Sequence, residues 1–272
     1  MKIYGVFGDP IEHSLSPAMH NAAFRALDLV ACYNAFQVTK ERLRSAIMGA
    51  DSMGFGGLNL TIPLKEKALE IITPDKLAEA IGAINTVSFD RQIRGYNTDG
   101  IGAVMALEES GIRVKDSRVL LIGAGGAARA IGYTLANQGA EISIVNRNSK
   151  RASELASRIG ANGYGFDELE SLVKQADIVI NATSVGMRDG DPRLFQRNVL
   201  RSSQTVFDVV YNRKTELLRD TIAARATAID GVMMLVYQGA KALEIWTGLK
   251  APVKVMEKAI RDSLRAKKEQ SR

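Results

Sequence analysis

The apolar run Val119-Leu120-Leu121-Ile122 has no polar face, which suits a strand buried on both sides, and it breaks at Gly123-Ala124-Gly125-Gly126. The alanines and leucines over 126–137 then predict a helix packed on that strand. Further alternation follows: a strand over 141–145, a helix over 149–159, strands over 177–181 and 205–210, and a helix over 215–225. Strands that alternate with helices predict a doubly wound parallel sheet. The earlier part of the chain is less regular. A strand over 3–7 ends at Gly8-Asp9-Pro10, Ser16 as N-cap and Pro17 at the first helical position start a helix that runs to about Leu27, a strand covers 30–36 and a helix 40–49. Leu58, Leu60 and Ile62 alternate with Asn59 and Thr61, which predicts a strand with one core face, ended by Pro63 before Lys65 opens a helix. Polar turns over 83–87 and 95–100 flank a hairpin over 88–94, and a helix begins at Asp99-Gly100, with Asp99 as its cap, and ends near Gly111. Gly231 opens a helix that is apolar on more than one face, and 252–267 reads as a last helix returning to the first domain.

This pattern is α/β with two domains. Residues 1–101 form an N-terminal α/β domain with a mixed sheet, completed by C-terminal helices over 238–272, and residues 102–237 form a Rossmann-like doubly wound domain. With 272 residues, 46% of them hydrophobic, the chain can supply two modest cores. The apolar stretches are interrupted by glycine or Arg129, so no membrane span is expected, and Met1-Lys2-Ile3-Tyr4-Gly5 lacks the apolar centre of a signal peptide. Cys32 is the only cysteine, which excludes an intrachain disulfide and a cysteine-based metal cluster and points to a cytoplasmic setting. A net charge of +6 would permit nucleic-acid binding, but part of the surplus lies in 261–272 and no face of mixed aromatic and basic residues accompanies it. Small anionic molecules are the expected partners.

The glycine cluster carries the clearest chemistry. Gly123 permits a tight turn, Gly125 lets backbone amides approach a pyrophosphate, and Ala128 is small enough for close packing of helix on strand. The amides at the helix start favour an anion. The next strand ends in Asn146-Arg147-Asn148-Ser149-Lys150-Arg151, where NAD-specific folds carry an acidic residue for the ribose hydroxyl. Arg147 and Arg151 in its place predict NADP. In the first domain, Ser14 and Ser16 precede a helix, where they either cap the turn or hold a carboxylate. His13 and His20 lack an acidic cluster, so a structural role is expected and no metal site. Lys65 faces the positive end of its expected helix, so a partner is sought, and Asp99 is a carboxylate in a polar turn that could meet it across a cleft. Gln238 is a polar residue in apolar company and needs a partner, a substrate hydroxyl being one candidate.

Taken together, His13-Ser14-Leu15-Ser16-Pro17 through His20-Asn21, the stretch from Asn59 to Lys65, Asn97-Thr98-Asp99-Gly100, the turn from Gly123 to Arg129, Asn146-Arg147, the stretch from Asn181 to Met187, and Gln238 ahead of Glu244-Ile245-Trp246-Thr247-Gly248 resemble the shikimate dehydrogenase family over nearly the whole chain. The resemblance implies reversible NADPH-dependent reduction of 3-dehydroshikimate, a step of aromatic amino-acid biosynthesis. It implies that Ser14, Ser16, Thr61, Lys65, Asn85, Asp99 and Gln238 bind the substrate and that Lys65 and Asp99 form a joint acid-base pair. NADP would be held by Gly123, Gly125, Gly126, Ala127, Ala128, Asn146, Arg147, Arg151, Thr183, Ser184, Met187, Tyr211 and Gly231. Two positions depart from the family pattern, Arg188 and Arg213, where it usually has proline. A broader quinate/shikimate dehydrogenase, or a nucleotide-sensing protein without turnover, are the alternative readings; a homodimer is left open.

Overall fold

The computed structural model describes residues 1–90 and 92–270. Arg91, within the expected hairpin, and residues 271–272, at the end of the basic segment, lie outside the described residues. The chain divides into two compact units, one formed by Met1–Gly102 with the chain from Leu235 onward and the other by Ala103–Met234.

The first unit begins with β1 (Lys2–Gly8), α1 (Ser16–Ala26), β2 (Ala31–Gln37), α2 (Leu43–Ser52) and β3 (Gly57–Leu60). After a 3-10 turn at Lys67–Glu70 come β4 (Thr73–Pro74), α3 (Lys76–Ile81), β5 (Thr86–Ser88), β6 (Arg94–Tyr96) and α4 (Asp99–Glu109). The strands form one mixed sheet in the order β2-β1-β3-β5-β6-β4. Here β1, β2 and β3 are parallel, and β5 runs antiparallel to β3 and β6. Because β1 and β3 are parallel neighbours, the segments that follow them leave the same sheet edge; Thr61 N–H donates to the Phe7 carbonyl at 2.9 Å and Asp9 N–H to that of Ile62 at 3.0 Å. The core on one face gathers Phe7, Leu43, Ile47, Leu58, Leu60, Leu64, Ile84 and Val87. Each such side chain contributes about 1.5–3 kcal/mol of burial. On α2 the spacing of Leu43, Ile47 and Ala50 places the buried residues on one helical stripe.

The second unit contains β7 (Arg118–Ile122), α5 (Gly126–Asn137), β8 (Glu141–Val145), α6 (Ser149–Ile159), β9 (Asn162–Tyr164), α7 (Leu169–Gln175), β10 (Ile178–Asn181), β11 (Thr205–Asp208), α8 (Glu216–Ala223) and β12 (Thr227–Ile229). Its six strands lie in the order β12-β11-β10-β7-β8-β9, all parallel. Counted along the chain within this unit and read from the β9 edge, that order is 3-2-1-4-5-6, the doubly wound arrangement that binds ligands where the order reverses, here between β7 and β10. Last come α9 (Val232–Thr247) and α10 (Val253–Gln270), and α10 packs against α1 in the first unit. The architecture is thus the expected α/β pair of a mixed and a doubly wound parallel sheet.

Several local expectations are corrected. Ser16 is the first residue of α1 and not its cap, which is Leu15, so Pro17 occupies the second helical position. Lys65 opens no helix: it lies in a turn, and the 3-10 helix starts at Lys67. The turn is held because Leu64 is buried in the core and the Lys65 carbonyl accepts the Ile84 N–H at 2.9 Å. Ile62 does not share the face of Leu58 and Leu60; β3 has ended at Leu60, alternation lapses, and Ile62 is exposed. Asp99 lies inside α4 as its first residue and does not cap it. The helix expected over 40–49 lies three residues later.

Candidate active site

In the first unit, backbone bonds bring the end of β3, the start of β5 and the start of α4 together. Leu60 N–H donates to the Asn85 carbonyl at 2.8 Å, and Asn85 N–H to that of Tyr96 at 3.0 Å. Asp99, at the positive end of α4, has a favourable place for a carboxylate. Lys65 Nζ donates to Asp99 Oδ2 at 2.5 Å, and Asn85 Nδ2 donates to Asp99 Oδ1 at 2.8 Å. The Lys65 side chain retains 14% of its exposure and Asp99 5%, so the pair is largely desolvated with the ammonium as its more open member. An ion pair held this way needs its remaining lone pairs satisfied, and Asn85 does that for Asp99. Gln238, on α9, accepts from Asn85 Nδ2 at 3.4 Å and donates to the Leu235 carbonyl at 2.9 Å.

Ser14 and Ser16 come next to each other in a local turn, in which Ser14 Oγ accepts the Ser16 N–H at 3.3 Å. Ser14, not Ser16, therefore serves the helix start. Thr61 follows β3 and packs beside Gly8 at the end of β1. His20 is fully buried, its ring stacked on Tyr33 with centroids 4.3 Å apart and planes 9° apart. Neither ring nitrogen has a hydrogen-bond partner among the described residues, and burial pushes the imidazole down to about 3, so it is neutral. Beneath Asp99 lies a polar cluster that sequence reasoning missed: Tyr33, Asn59, Thr86 and Thr98. Its visible signals were the alternation along β3, which turns Asn59 away from the core face of Leu58 and Leu60, and the polar turns that carry Thr86 and Thr98.

In the second unit, the glycine turn joins β7 to α5. Gly123 has φ of +116°, and a Cβ there would lie 3.0 Å from the Ala182 carbonyl oxygen, so both backbone and space require glycine. At Gly125, the N-cap of α5, an added Cβ would meet nothing within 4 Å and no side chain caps the helix. Open space over uncapped amides fits a pyrophosphate approaching Gly125, Gly126 and Ala127. Ala128 is fully buried against the sheet. Gly123 N–H donates to the Val145 carbonyl at 2.8 Å, which brings the end of β8 to the turn, and Arg151 Nη2 reaches the Ala124 carbonyl at 3.3 Å. Arg147 is exposed at the same corner. Asn146 spends an amide hydrogen on the Asn148 carbonyl at 3.0 Å, while Asn148 caps α6 by accepting the Arg151 N–H at 3.3 Å. The cap is visible in residue order as Asn148 ahead of Ser149-Lys150-Arg151.

The loops after β10 and β11 are tied through a buried carboxylate. Asp208 accepts from Asn181 Nδ2 at 2.9 Å, Val210 N–H at 3.1 Å and the Thr215 hydroxyl at 2.6 Å. Burial nonetheless pushes its carboxyl up to about 6. Asn181 Oδ1 in turn accepts the Thr183 N–H and hydroxyl, and the Met187 carbonyl accepts Asn212 Nδ2 at 3.2 Å. Ser184 closes the same loop, its carbonyl accepting the Met187 N–H at 3.1 Å. Tyr211 follows β11, its phenol raised to about 12 by burial. Gly231 admits no side chain, because a Cβ would lie 2.2 Å from the Val209 carbonyl oxygen. At the two departures from the family pattern, Arg213 pairs with Asp189, and the Arg188 and Gly186 N–H groups both donate to Asp191. The Arg188 N–H thus makes a bond that a proline at that position could not make. Among the described residues no group of three or more His, Cys, Asp or Glu is placed to hold a metal ion, and no helix is long and apolar enough to cross a membrane.

Comparison with known proteins covers both units. Residues 6–87 match the shikimate dehydrogenase substrate binding domain, residues 105–215 the shikimate/quinate 5-dehydrogenase family, and residues 231–261 the shikimate 5'-dehydrogenase C-terminal domain. A shikimate dehydrogenase (NADP+) of Methanothrix thermoacetophila is 64% identical over 97% of this chain and 98% of its own. The shikimate dehydrogenase structure from Aquifex aeolicus superposes with a TM-score of 0.91 at 36% identity, covering 96% of this chain and 98% of that one. The shikimate 5-dehydrogenase of Thermus thermophilus, solved with NADP(H) and shikimate, gives 0.89 at 35% identity over 96% and 99%. These matches run through both units and nearly end to end: the chain belongs to the shikimate dehydrogenase family.

Proposed function

We propose that this chain is an NADP-dependent shikimate dehydrogenase that reversibly reduces 3-dehydroshikimate to shikimate in aromatic amino-acid biosynthesis. The observation that carries the reading is the desolvated Lys65-Asp99 pair, 2.5 Å apart, with Asn85 and Gln238 beside it. Residues 1–101 with 238–272 bind the substrate, and residues 102–237 bind NADP. When bound, NADPH supplies the hydride. Lys65 gives a proton to the oxygen of the ketone as negative charge develops there, and its ammonium stabilises that charge. Asp99, itself held by Asn85, keeps the ammonium in place, and in the reverse direction the pair takes the proton back. Ser14 and Ser16 hold the substrate carboxylate, while Thr61, Asn85 and Gln238 bind its hydroxyls. Arg147 and Arg151 hold the 2′-phosphate, the amides of Gly125 to Ala128 with Asn146 hold the phosphates and ribose, and Thr183, Ser184, Met187, Tyr211 and Gly231 border the nicotinamide.

The matched family over residues 105–215 is described for quinate as well as shikimate, which favours a second reading in which this chain also turns over quinate. One assay tests both: NADPH absorbance followed with shikimate and with quinate, each against NADP and NAD. Turnover of shikimate with NADP is expected to dominate, and no turnover of any pair would overturn the proposal. A cytoplasmic setting, argued from the lone Cys32, and a homodimeric state belong to the same proposal, tested by cell fractionation and by light scattering.

A further inference from the structure

The polar cluster below Asp99 has a direction, and backbone groups set it at two points. An N–H can only donate, so the Thr98 N–H at 2.8 Å identifies the Asn85 atom facing it as Oδ1, which turns Asn85 Nδ2 toward Asp99. A carbonyl can only accept, so the Asn85 carbonyl at 3.2 Å identifies the Asn59 atom facing it as Nδ2, which turns Asn59 Oδ1 toward Tyr33. The Tyr33 hydroxyl must then donate to Asn59, at 2.7 Å. Between these two amides, Asn59 Nδ2 donates to Thr86 Oγ1 at 3.1 Å, and Thr86 donates its proton to Asn85 Oδ1 at 2.9 Å. The chain of donors therefore runs Tyr33, Asn59, Thr86, Asn85, and ends on Asp99 opposite Lys65. All five of these residues are buried. Tyr33 is itself pinned, by the stacked His20 ring and by the Asn21 side chain, which exchanges two 2.8 Å bonds with the Tyr33 backbone.

We propose that Tyr33, Asn59 and Thr86 are positioning residues for the reaction: from β2, β3 and β5 they hold the Asn85 amide so that it presents N–H, and not its oxygen, to Asp99. Thr98 holds the same amide from the side of α4, through its N–H and its hydroxyl at 3.2 Å to Asn85 Oδ1, and Thr86 adds the donor that comes from the sheet. Turned over, the amide would set oxygen against a carboxylate and N–H against N–H, both repulsive in a dry site. The inference rests on Lys65 and Asp99 being the reactive pair.

The test compares Thr86→Val, which keeps shape and removes the hydroxyl, with Thr86→Ser, which keeps the hydroxyl. Thr86→Val is expected to lower kcat about tenfold, with KM for shikimate moving less than kcat and KM for NADP unchanged, and Thr86→Ser to stay within about threefold of wild type. In a Lys65→Ala background Thr86→Val is expected to cost nothing further, because the relay acts only through the pair. Equal fractional losses in both backgrounds, equal damage from serine and valine, or an unchanged kcat in Thr86→Val would each overturn the proposal. Should Thr86→Val fail to fold, Tyr33→Phe removes the first donor of the same chain, with kcat expected to fall about threefold and the same loss of effect beside Lys65→Ala. A fully active Lys65→Ala enzyme would instead sink the reactive pair, which keeps the two failures apart.

Discussion

At the residue scale, the proposed proton transfer rests on Lys65. Its ammonium is the more open member of the pair, while Asp99 is occupied by Lys65 and Asn85. Lys65→Ala is expected to lower kcat by roughly 10² to 10⁴ fold with little change in KM, the range for loss of a positioned proton-transfer group; a folded variant with near-normal kcat would end its role. Ser14 presents a different problem, because its hydroxyl already accepts the Ser16 N–H. Ser14→Ala therefore loses a turn bond worth about 1 kcal/mol in any case. Its proposed contact with substrate is separated by an analogue lacking the carboxylate: KM for shikimate should rise about tenfold while the analogue's affinity hardly changes. An equal loss for both compounds would leave the hydroxyl with only its turn.

Among the elements, the corner formed by α5, β8 and α6 is the one proposed to read the 2′-phosphate. The Val145 carbonyl, Gly123 N–H and Arg151 guanidinium knit the corner to the glycine turn, and Arg147 stands exposed beside it. Replacing Arg147 with Gln should weaken NADP by about 1.5–3 kcal/mol, the worth of hydrogen bonds to a charged group, and leave NAD nearly unaffected. Isothermal titration with the two cofactors checks it, and equal losses would remove Arg147 from phosphate recognition. Asn148→Ala supplies the contrast, since losing the α6 cap should cost about 1 kcal/mol of stability and lower Tm without altering the preference between cofactors. The long elements here were legible from residue order, α5, β8 and α6 in particular, because their periodicity extends over many positions. Short ones were not: β4, β9 and β12 span two or three residues and become strands only through a neighbouring strand.

At the scale of the molecule, two buried titrating groups of opposite sign lie one in each unit. His20, lowered from 6.5 to about 3, contributes stability that is present above pH 6.5 and lost as pH falls from there toward 3. Asp208, raised from 3.8 to about 6, contributes in the other sense, fully present below 3.8 and lost as pH rises through about 6. Mild acid is thus expected to weaken the His20 unit selectively. Between pH 6.5 and 5 the loss attributable to His20 is on the order of 2 kcal/mol. Trp246, the single tryptophan, packs against His20 and reports on that unit by fluorescence. Its denaturation midpoint should fall over this range in the wild type, and the fall should largely vanish in His20→Leu. The same slope in both proteins would assign the acid sensitivity elsewhere.

What residue order alone determined is what depends on near neighbours. The period of buried positions marked the core helices and strands, and the steric freedom of Gly123 marked the turn before α5, since both follow from backbone geometry within a few residues. The motif order also carried the family resemblance, because those motifs are contiguous stretches. Tertiary structure alone decided the rest. Lys65 and Asp99 are 34 positions apart and Asn85 and Gln238 are 153 apart, so no local pattern encodes that they meet. Tyr33 reads along the chain as one more strand aromatic, and only the pairing of β1 with both β2 and β3 lets its hydroxyl find Asn59. Residue order puts Lys65 at a helix start, yet it occupies a turn set by Leu64 in the core and Ile84 across from it. Burial and hydrogen-bond partners depend on which faces come together, and that is a property of the packed chain and not of its local order.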